Sequence, residues 1–263
     1  MRRATGALVD ADGLELRTGE GPVFSRIGFT AEPGSLTVFE ADAGGGRTAL
    51  LLALGGRMRP TSGALRVDGY ELPRQARRAR RIAALALASG VNDLDERLRV
   101  SEHMAERLLL RFRPAPASVS EPALAEAGLA GLDLRTLVKD LSALERRRLG
   151  VALALLEEPR LLLVDDADAG LGERNRRAFW SLLRDLAGTG LTVIAACADA
   201  RGAGDGVAVH PVHRPPRRAR AVKPLARSVL NALRPGAQTK GRHSRGGDTE
   251  PLALGEIFPR AEE

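Results

Sequence analysis

Apolar positions recur along this chain with two periods. In the first forty residues they come in short runs broken by glycine and by Pro33, and Gly6 to Val9, Leu14 to Arg17, Pro22 to Phe29 and Ser35 to Glu40 each read as a strand. The Arg47 to Met58 segment reads as an apolar helix that stops before Pro60; Gly63 to Tyr70 is a further strand and Ile82 to Leu87 a buried one. Between Ala88 and Lys139 the pattern turns helical. Val100 to Phe112 sets Met104, Leu108 and Leu109 among charges, and Pro122 to Ala127 starts a second short helix after a loop holding Pro114 and Pro116, which reads as an inserted helical subdomain. From Leu141 the alternation returns: a helix from Leu144 to Glu157, an apolar strand from Leu161 to Val164, a helix from Glu173 to Leu186 with Trp180, and a strand from Leu191 to Ala196. Continuous apolar strands alternating with helices predict an α/β fold, its parallel sheet covered on both faces.

Composition divides the chain. After Val209 it shifts to Pro, Arg, Ser and Gly, so residues 1–209 read as one domain, with a helical subdomain at about 88–150, and 210–263 as a largely disordered tail with a short helix over Leu225 to Leu233. From Gly206 to Glu263 eleven Lys and Arg face five Asp and Glu, so this segment holds +6 of the chain's net +7. Between Arg214 and Arg245 there are ten basic residues and no acidic one, enough to attract an anionic membrane surface or nucleic acid, although no aromatic residue interleaves them. A solvated tail is the plainer reading, as is a solvated face for the basic run Arg74 to Arg81. The single cysteine, Cys197, excludes an internal disulfide framework and favours a reducing compartment. No apolar stretch reaches the roughly 20 residues that span a bilayer. Met1-Arg2-Arg3 leads to Asp10 and Asp12 rather than to an apolar block, unlike a secretory signal.

The candidate chemistry sits where strands end. Glu40-Ala41-Asp42-Ala43-Gly44-Gly45-Gly46-Arg47-Thr48 lies between an apolar strand and an apolar helix, and that order can hold a phosphate on backbone N–H groups and a helix N-terminus. Against the phosphate-loop pattern G-x-x-x-x-G-K-[ST], Gly46 and Thr48 match; Ala41 stands at the first glycine and Arg47 at the lysine. A ligand-free glycine-rich turn is the alternative. Lysine is scarce here (Lys139, Lys223, Lys240), so Arg47 partly reflects a general use of arginine. Leu161 to Val164 runs into Asp165 and Asp166, which read either as a magnesium-orienting and a water-polarising carboxylate or, with Asp168, as loop and cap residues. Ser142 and Glu145 form a capping box at the start of the helix before that strand.

Leu141-Ser142-Ala143-Leu144-Glu145, followed by Glu158-Pro159-Arg160-Leu161 and Asp165-Asp166, resembles the signature helix and Walker B strand of ABC-type ATPases, whose signature is Leu-Ser-Gly-Gly-Gln. With that register, Thr30 to Leu50 resembles the approach to the Walker A loop and Arg59 to Gly63 the turn after its helix. Leu98 to Glu102 resembles the start of the helical subdomain, Ala169-Gly170-Leu171 that of the D-loop, and Thr192-Val193-Ile194 the strand before the switch histidine. The resemblance implies a phosphate-loop NTPase fold of ABC type with an N-terminal antiparallel β subdomain. It implies ATP and Mg2+ as ligands, with Gly44, Gly45, Gly46, Arg47 and Thr48 on the nucleotide, Thr48 and Asp165 on the metal, Ser142 and Glu145 in the signature and Asp166 as the catalytic candidate. It also implies a permease on a separate chain, a second nucleotide-binding subunit as homodimer or heterodimer partner, and a place at the inner face of the cell membrane. Arg47 with Asp165-Asp166 is similar to a group of actinobacterial members.

The match departs from the family at several positions. Ala143 and Leu144 replace the signature glycines, Asp166 the catalytic glutamate and Gly172 the D-loop aspartate; Ala198 stands at the switch histidine, and no glutamine serves the Q-loop. No aromatic residue precedes Phe24 to stack on adenine; Thr18 lies near its place. Asp42 would bring negative charge toward the phosphates. The expectation is an ATP-binding transporter subunit with weak hydrolysis, the alternative a non-hydrolysing scaffold or regulatory protein paired with a competent ATPase.

Overall fold

The computed structural model describes residues 5–111 and 117–212, of 117 and 118 the backbone alone. Pro114, Pro116, the basic stretch from Arg214 and the short helix expected over Leu225 to Leu233 lie outside the described residues. In chain order come β1 (Val9–Thr18), β2 (Gly21–Ala31), β3 (Leu36–Glu40), α1 (Arg47–Leu54), β4 (Ser62–Val67) and β5 (Tyr70–Leu72). Then follow α2 (Ala76–Ile82), β6 (Ala83–Leu85), α3 (Val100–Leu109), α4 (Ala117–Glu126), α5 (Ala143–Leu155), β7 (Leu161–Val164), α6 (Glu173–Gly188), β8 (Thr192–Cys197) and β9 (Ala208–Pro211). Among the described residues no helix is long and apolar enough to cross a membrane.

Side-chain alternation on the buried strands builds the centre. The sheet β6-β7-β8-β3-β9 is parallel throughout. Leu162, Val164, Val193, Ala195 and Val38 face one core, shared with α3 to α6. Leu161, Leu163, Ile194, Ala196 and Phe39 face the other, shared with α1 and the antiparallel sheet β2-β1-β4-β5. This is the expected α/β phosphate-loop architecture, with a parallel sheet covered on both faces and an antiparallel β subdomain. Both faces are apolar because both are covered.

Local chemistry explains where elements differ from expectation. Gly6 to Val9 and Leu14 to Arg17 read as two strands, but a single strand, β1, starts only at Val9 and continues through Leu14 to Arg17, its pairing shifting around Gly13 at φ 58. The first helix ends at Leu54 rather than Met58, because Gly56 at φ 66 turns the chain and the Arg57 amide closes back on the Leu52 carbonyl at 2.8 Å. Gly63 to Tyr70 divides into β4 and β5 around Asp68 (φ 52) and Gly69 (φ 77), the two-residue hairpin turn that Asp-Gly favours. Leu109 is 63% exposed, not part of the buried stripe of Val100, Met104 and Leu108, since five residues from Met104 carry it well round the helix. β9 continues past Val209, where the tail was expected to begin, and the following Val212 is buried with its amide on the Glu40 carbonyl.

One arginine joins the two sheets. Arg160, just before β7, holds both carboxylate oxygens of Asp68 in the β4–β5 turn and also donates to the Thr5 and Gly6 carbonyls. Arg160→Met is expected to cost about 2 kcal/mol, since it leaves a half-buried carboxylate and two carbonyls without their donor. Urea unfolding checks this; an unchanged midpoint would mean the pair contributes nothing net.

Candidate functional site

β3 and β7 flank β8, so the segments leaving their carboxyl ends face each other. After β3 the chain turns through Gly44 (φ 76), Gly45 and Gly46 (φ 84), with the Gly45 amide on the Asp42 carbonyl at 2.9 Å. A Cβ on Gly45 would stand 2.7 Å from the Ala41 Cβ, and one on Gly46 2.8 Å from the Val23 carbonyl oxygen. Close approach therefore requires glycine at both. Gly46 caps α1 with no side-chain acceptor, so the first-turn amides of the helix are left for an outside partner.

Thr48, on the first turn of α1, donates its hydroxyl to Asp165 Oδ2 at 2.5 Å. Asp165 Oδ1 accepts from the Asp166 amide at 3.0 Å, and the residue is 1% exposed. Burial pushes the Asp165 carboxyl above the usual carboxylate range, against the Thr48 hydrogen bond, which lowers it. Asp166, at φ 46, turns its carboxylate onto Arg47, whose Nη2 lies 2.7 Å from Asp166 Oδ1 while Nη1 donates to the Ala41 carbonyl at 2.7 Å. Neither Asp166 nor Asp168 caps α6: that position is Gly172. Asp168 instead accepts from the Ala198 and Asp199 amides, which ties the segment after β7 to the one after β8. Glu40 accepts from the Ala200 amide at 2.9 Å.

Thr48, Asp165, Asp166 and Arg47 thus converge. Ser142 and Glu145 do not join them: the Ser142 amide and hydroxyl both donate to Glu145 Oε2, at 2.8 and 2.7 Å, and the Ser142 oxygen accepts from the Glu145 amide, the expected capping box. Those bonds hold the Glu145 carboxyl below its usual range. Leu144 leans on the core. Asp42 is exposed, and the Thr18 hydroxyl serves the β1–β2 turn by donating to the Gly21 carbonyl.

Arg147 belongs to the site although no sequence motif points to it. From α5 its guanidinium donates to the Asp165 carbonyl at 3.1 Å and the Ala169 carbonyl at 3.0 Å, pinning the residues after β7 from below. Burial lowers its pKa, while the Asp166, Asp168 and Asp165 charges oppose that shift. The only sequence signal was its place in the middle of three consecutive arginines, Arg146 to Arg148. The Cys197 thiol, buried at the end of β8, is pushed up to about 12, chiefly by burial and then by Asp168 and Glu40.

The residues present suit a magnesium-bound polyphosphate. Glycines 45 and 46 keep the loop backbone bare, and the uncapped start of α1 offers amides. Among the described residues no group of three or more His, Cys, Asp or Glu could hold a metal ion. Thr48 and Asp165 are two hard oxygen donors, and a magnesium ion takes most of its remaining ligands from phosphate and water. A divalent charge would also relieve the cost of burying Asp165.

The family model described as ABC transporter matches residues 24–169. Over 190 residues the chain is 30% identical to "Nod factor export ATP-binding protein I" of Ralstonia nicotianae, covering 71% of this chain and 58% of that protein. Over 184 residues it is 31% identical to "Zinc import ATP-binding protein ZnuC" of Roseobacter denitrificans, covering 68% and 64%. It thus spans about three fifths of the length of these curated relatives. Its fold is similar to that of cbiO1 from Clostridium perfringens, part of the ABC transporter complex cbiONQ, at a TM-score of 0.65 and 18% identity over 79% of this chain and 85% of that one.

Proposed function

The chain belongs to the ABC transporter family, and from that premise we propose that it is an ATP-binding subunit that works with a membrane permease on a separate chain and pairs with a second nucleotide-binding subunit. The observation that carries the reading is the Thr48–Asp165 contact beside the glycine loop: two sequence-distant motifs, 117 residues apart, meet at one point. Gly44, Gly45, Gly46 and the start of α1 are assigned to the phosphates, Arg47 to their charge, and Thr48 and Asp165 to Mg2+, which when bound neutralises phosphate charge. The relatives' names, a Nod factor export protein and a zinc import protein, differ in cargo and direction, so neither is carried over. We place the subunit at the inner face of the cell membrane, where a permease would hold it. The ten basic residues from Arg214 to Arg245 carry the charge to meet the anionic lipid surface there, although a solvated tail is the plainer reading of them.

Turnover is proposed to be weak. Asp166 is one methylene shorter than a glutamate and its carboxylate is held by Arg47, while Ala198 supplies no side-chain proton donor. The scaffold reading, a non-hydrolysing partner of a competent ATPase, draws on the same Arg47–Asp166 pair. Calorimetry with ATP, with and without magnesium, tests the binding common to both. Wild-type protein is expected to bind with a magnesium-dependent gain in affinity, and Thr48→Ala to lose that gain while staying folded. Absence of binding at millimolar ATP would overturn the ATP-binding assignment. Turnover at the rate of an active family member, lost in Asp166→Asn, would overturn the weak-hydrolysis assignment.

A further inference from the structure

Arg47 and Asp166 were expected to act on different parts of a bound nucleotide, the first on its phosphates and the second on the attacking water. The structure joins them to each other. Arg47 is 13% and Asp166 28% exposed, so their 2.7 Å contact is largely out of solvent. The other arm of the guanidinium is fixed on the Ala41 carbonyl at the start of the glycine loop. A planar fork can hold two acceptors in different directions at once, which a compact ammonium does far less well. One side chain therefore spans the crevice from the loop after β3 to the end of β7. Asp166 is set for this contact by its backbone: at φ 46 it occupies a conformation uncommon for a residue with a side chain, and its amide is anchored on Asp165. Arg147 braces the same turn through the Asp165 and Ala169 carbonyls.

We infer that Asp166 is the counter-ion of Arg47, a positioning residue for the loop cation rather than a catalytic base, so that nucleotide phosphate and the Asp166 carboxylate compete for one guanidinium. The inference rests on the nucleotide-binding reading above and adds to it a cause of weak affinity: the cation that should meet the phosphates is already neutralised within the chain. Binding then requires the guanidinium to leave Asp166, and whatever favours the pair disfavours the nucleotide by the same factor.

The test is a double-mutant cycle on the full chain with the non-hydrolysable analogue AMP-PNP, read by calorimetry, so that slowed turnover cannot pass for tighter binding. Asp166→Asn keeps the shape and removes the counter-ion. It is expected to tighten AMP-PNP binding about tenfold when Arg47 is present and no more than about threefold in the Arg47→Met background, where only the general loss of negative charge remains. The same four proteins unfolded in urea without nucleotide should show the two substitutions to be non-additive by about tenfold in the folding equilibrium; this decides the matter even if the two proteins carrying Arg47→Met bind too weakly to titrate. Equal tightening in both backgrounds, or additive effects in urea, would overturn the counter-ion role while leaving nucleotide binding intact. No binding by either wild type or Asp166→Asn would overturn both. Binding that appears only in Asp166→Asn supports both.

Discussion

Replacing Asp165 by asparagine is expected to abolish the magnesium-dependent gain in ATP affinity while leaving the nucleotide-free chain at least as stable as wild type. The two outcomes have one cause. The Asp165 carboxylate is 1% exposed and burial is the largest influence on it, so the folded protein keeps its proton more readily than the unfolded chain does. A group whose folded pKa is raised contributes stability that is full below the usual carboxylate value and is lost as pH rises through the folded value. At neutral pH the wild type therefore carries a cost that asparagine avoids. Asparagine can keep both contacts: its oxygen accepts from the Asp166 amide, and its amide donates to a reoriented Thr48 hydroxyl. The stability advantage of the variant should grow between pH 4 and pH 7, read as urea midpoints. Its loss for magnesium-bound ATP should be about 2 kcal/mol, or ~30-fold, the scale of a contact to a charged group. A variant less stable at pH 7 than at pH 4, relative to wild type, would mean that the neighbouring arginines already compensate the carboxylate.

The architecture was readable because the buried strands carry their period openly. Leu161 to Val164 and Val193 to Ala196 are apolar on both faces, the pattern of a strand in a sheet covered on both sides, and their shortness argues against helices. Turns were harder. Gly13 reads as a break between strands but serves as a shift within one, and Asp68-Gly69 lies inside an apolar run without interrupting its period. β9 was missed because its exposed edge looks like the polar chain that follows. At the site, the motifs named the residues but not their pairings. Spacing could bring Thr48 to Asp165, since each belongs to a known element of a phosphate loop. Nothing in the spacing could tell that Arg47 would turn from the loop opening to Asp166, because that depends on the φ of Asp166 and on the reach of a guanidinium. Arg147 was invisible for a similar reason: three consecutive arginines look like a solvated face, and only the packing of α5 decides which of them points at β7.

Gly46→Ala is expected to cost about 3 kcal/mol and to reduce nucleotide affinity by more than tenfold. Two costs add. At φ 84 the residue occupies the left-handed region, which takes roughly 1–2 kcal/mol from any residue with a Cβ. The new methyl would also stand 2.8 Å from the Val23 carbonyl oxygen and 2.9 Å from Val23 Cγ1, contacts of the overpacking kind that cost about 1–3 kcal/mol. Relief requires the loop to move away from β2, and Gly46 is the cap from which α1 starts, so that movement also turns the first-turn amides and the Thr48 hydroxyl. Gly172→Ala is the matched control. Gly172 also caps a helix, but at φ −64 with nothing within 4 Å of a new Cβ, and only a capping change of about 0.5 kcal/mol is expected there. Urea unfolding of both variants, with ATP titrations beside it, separates a general glycine effect from a local one. If Gly46→Ala proves as mild as Gly172→Ala, the loop yields freely and Val23 does not set its shape. If it is as severe as expected, the antiparallel sheet has a duty beyond covering the core: β2 is the wall against which the phosphate loop is formed, and the affinity of the site is set partly by a strand that contributes no side chain to it.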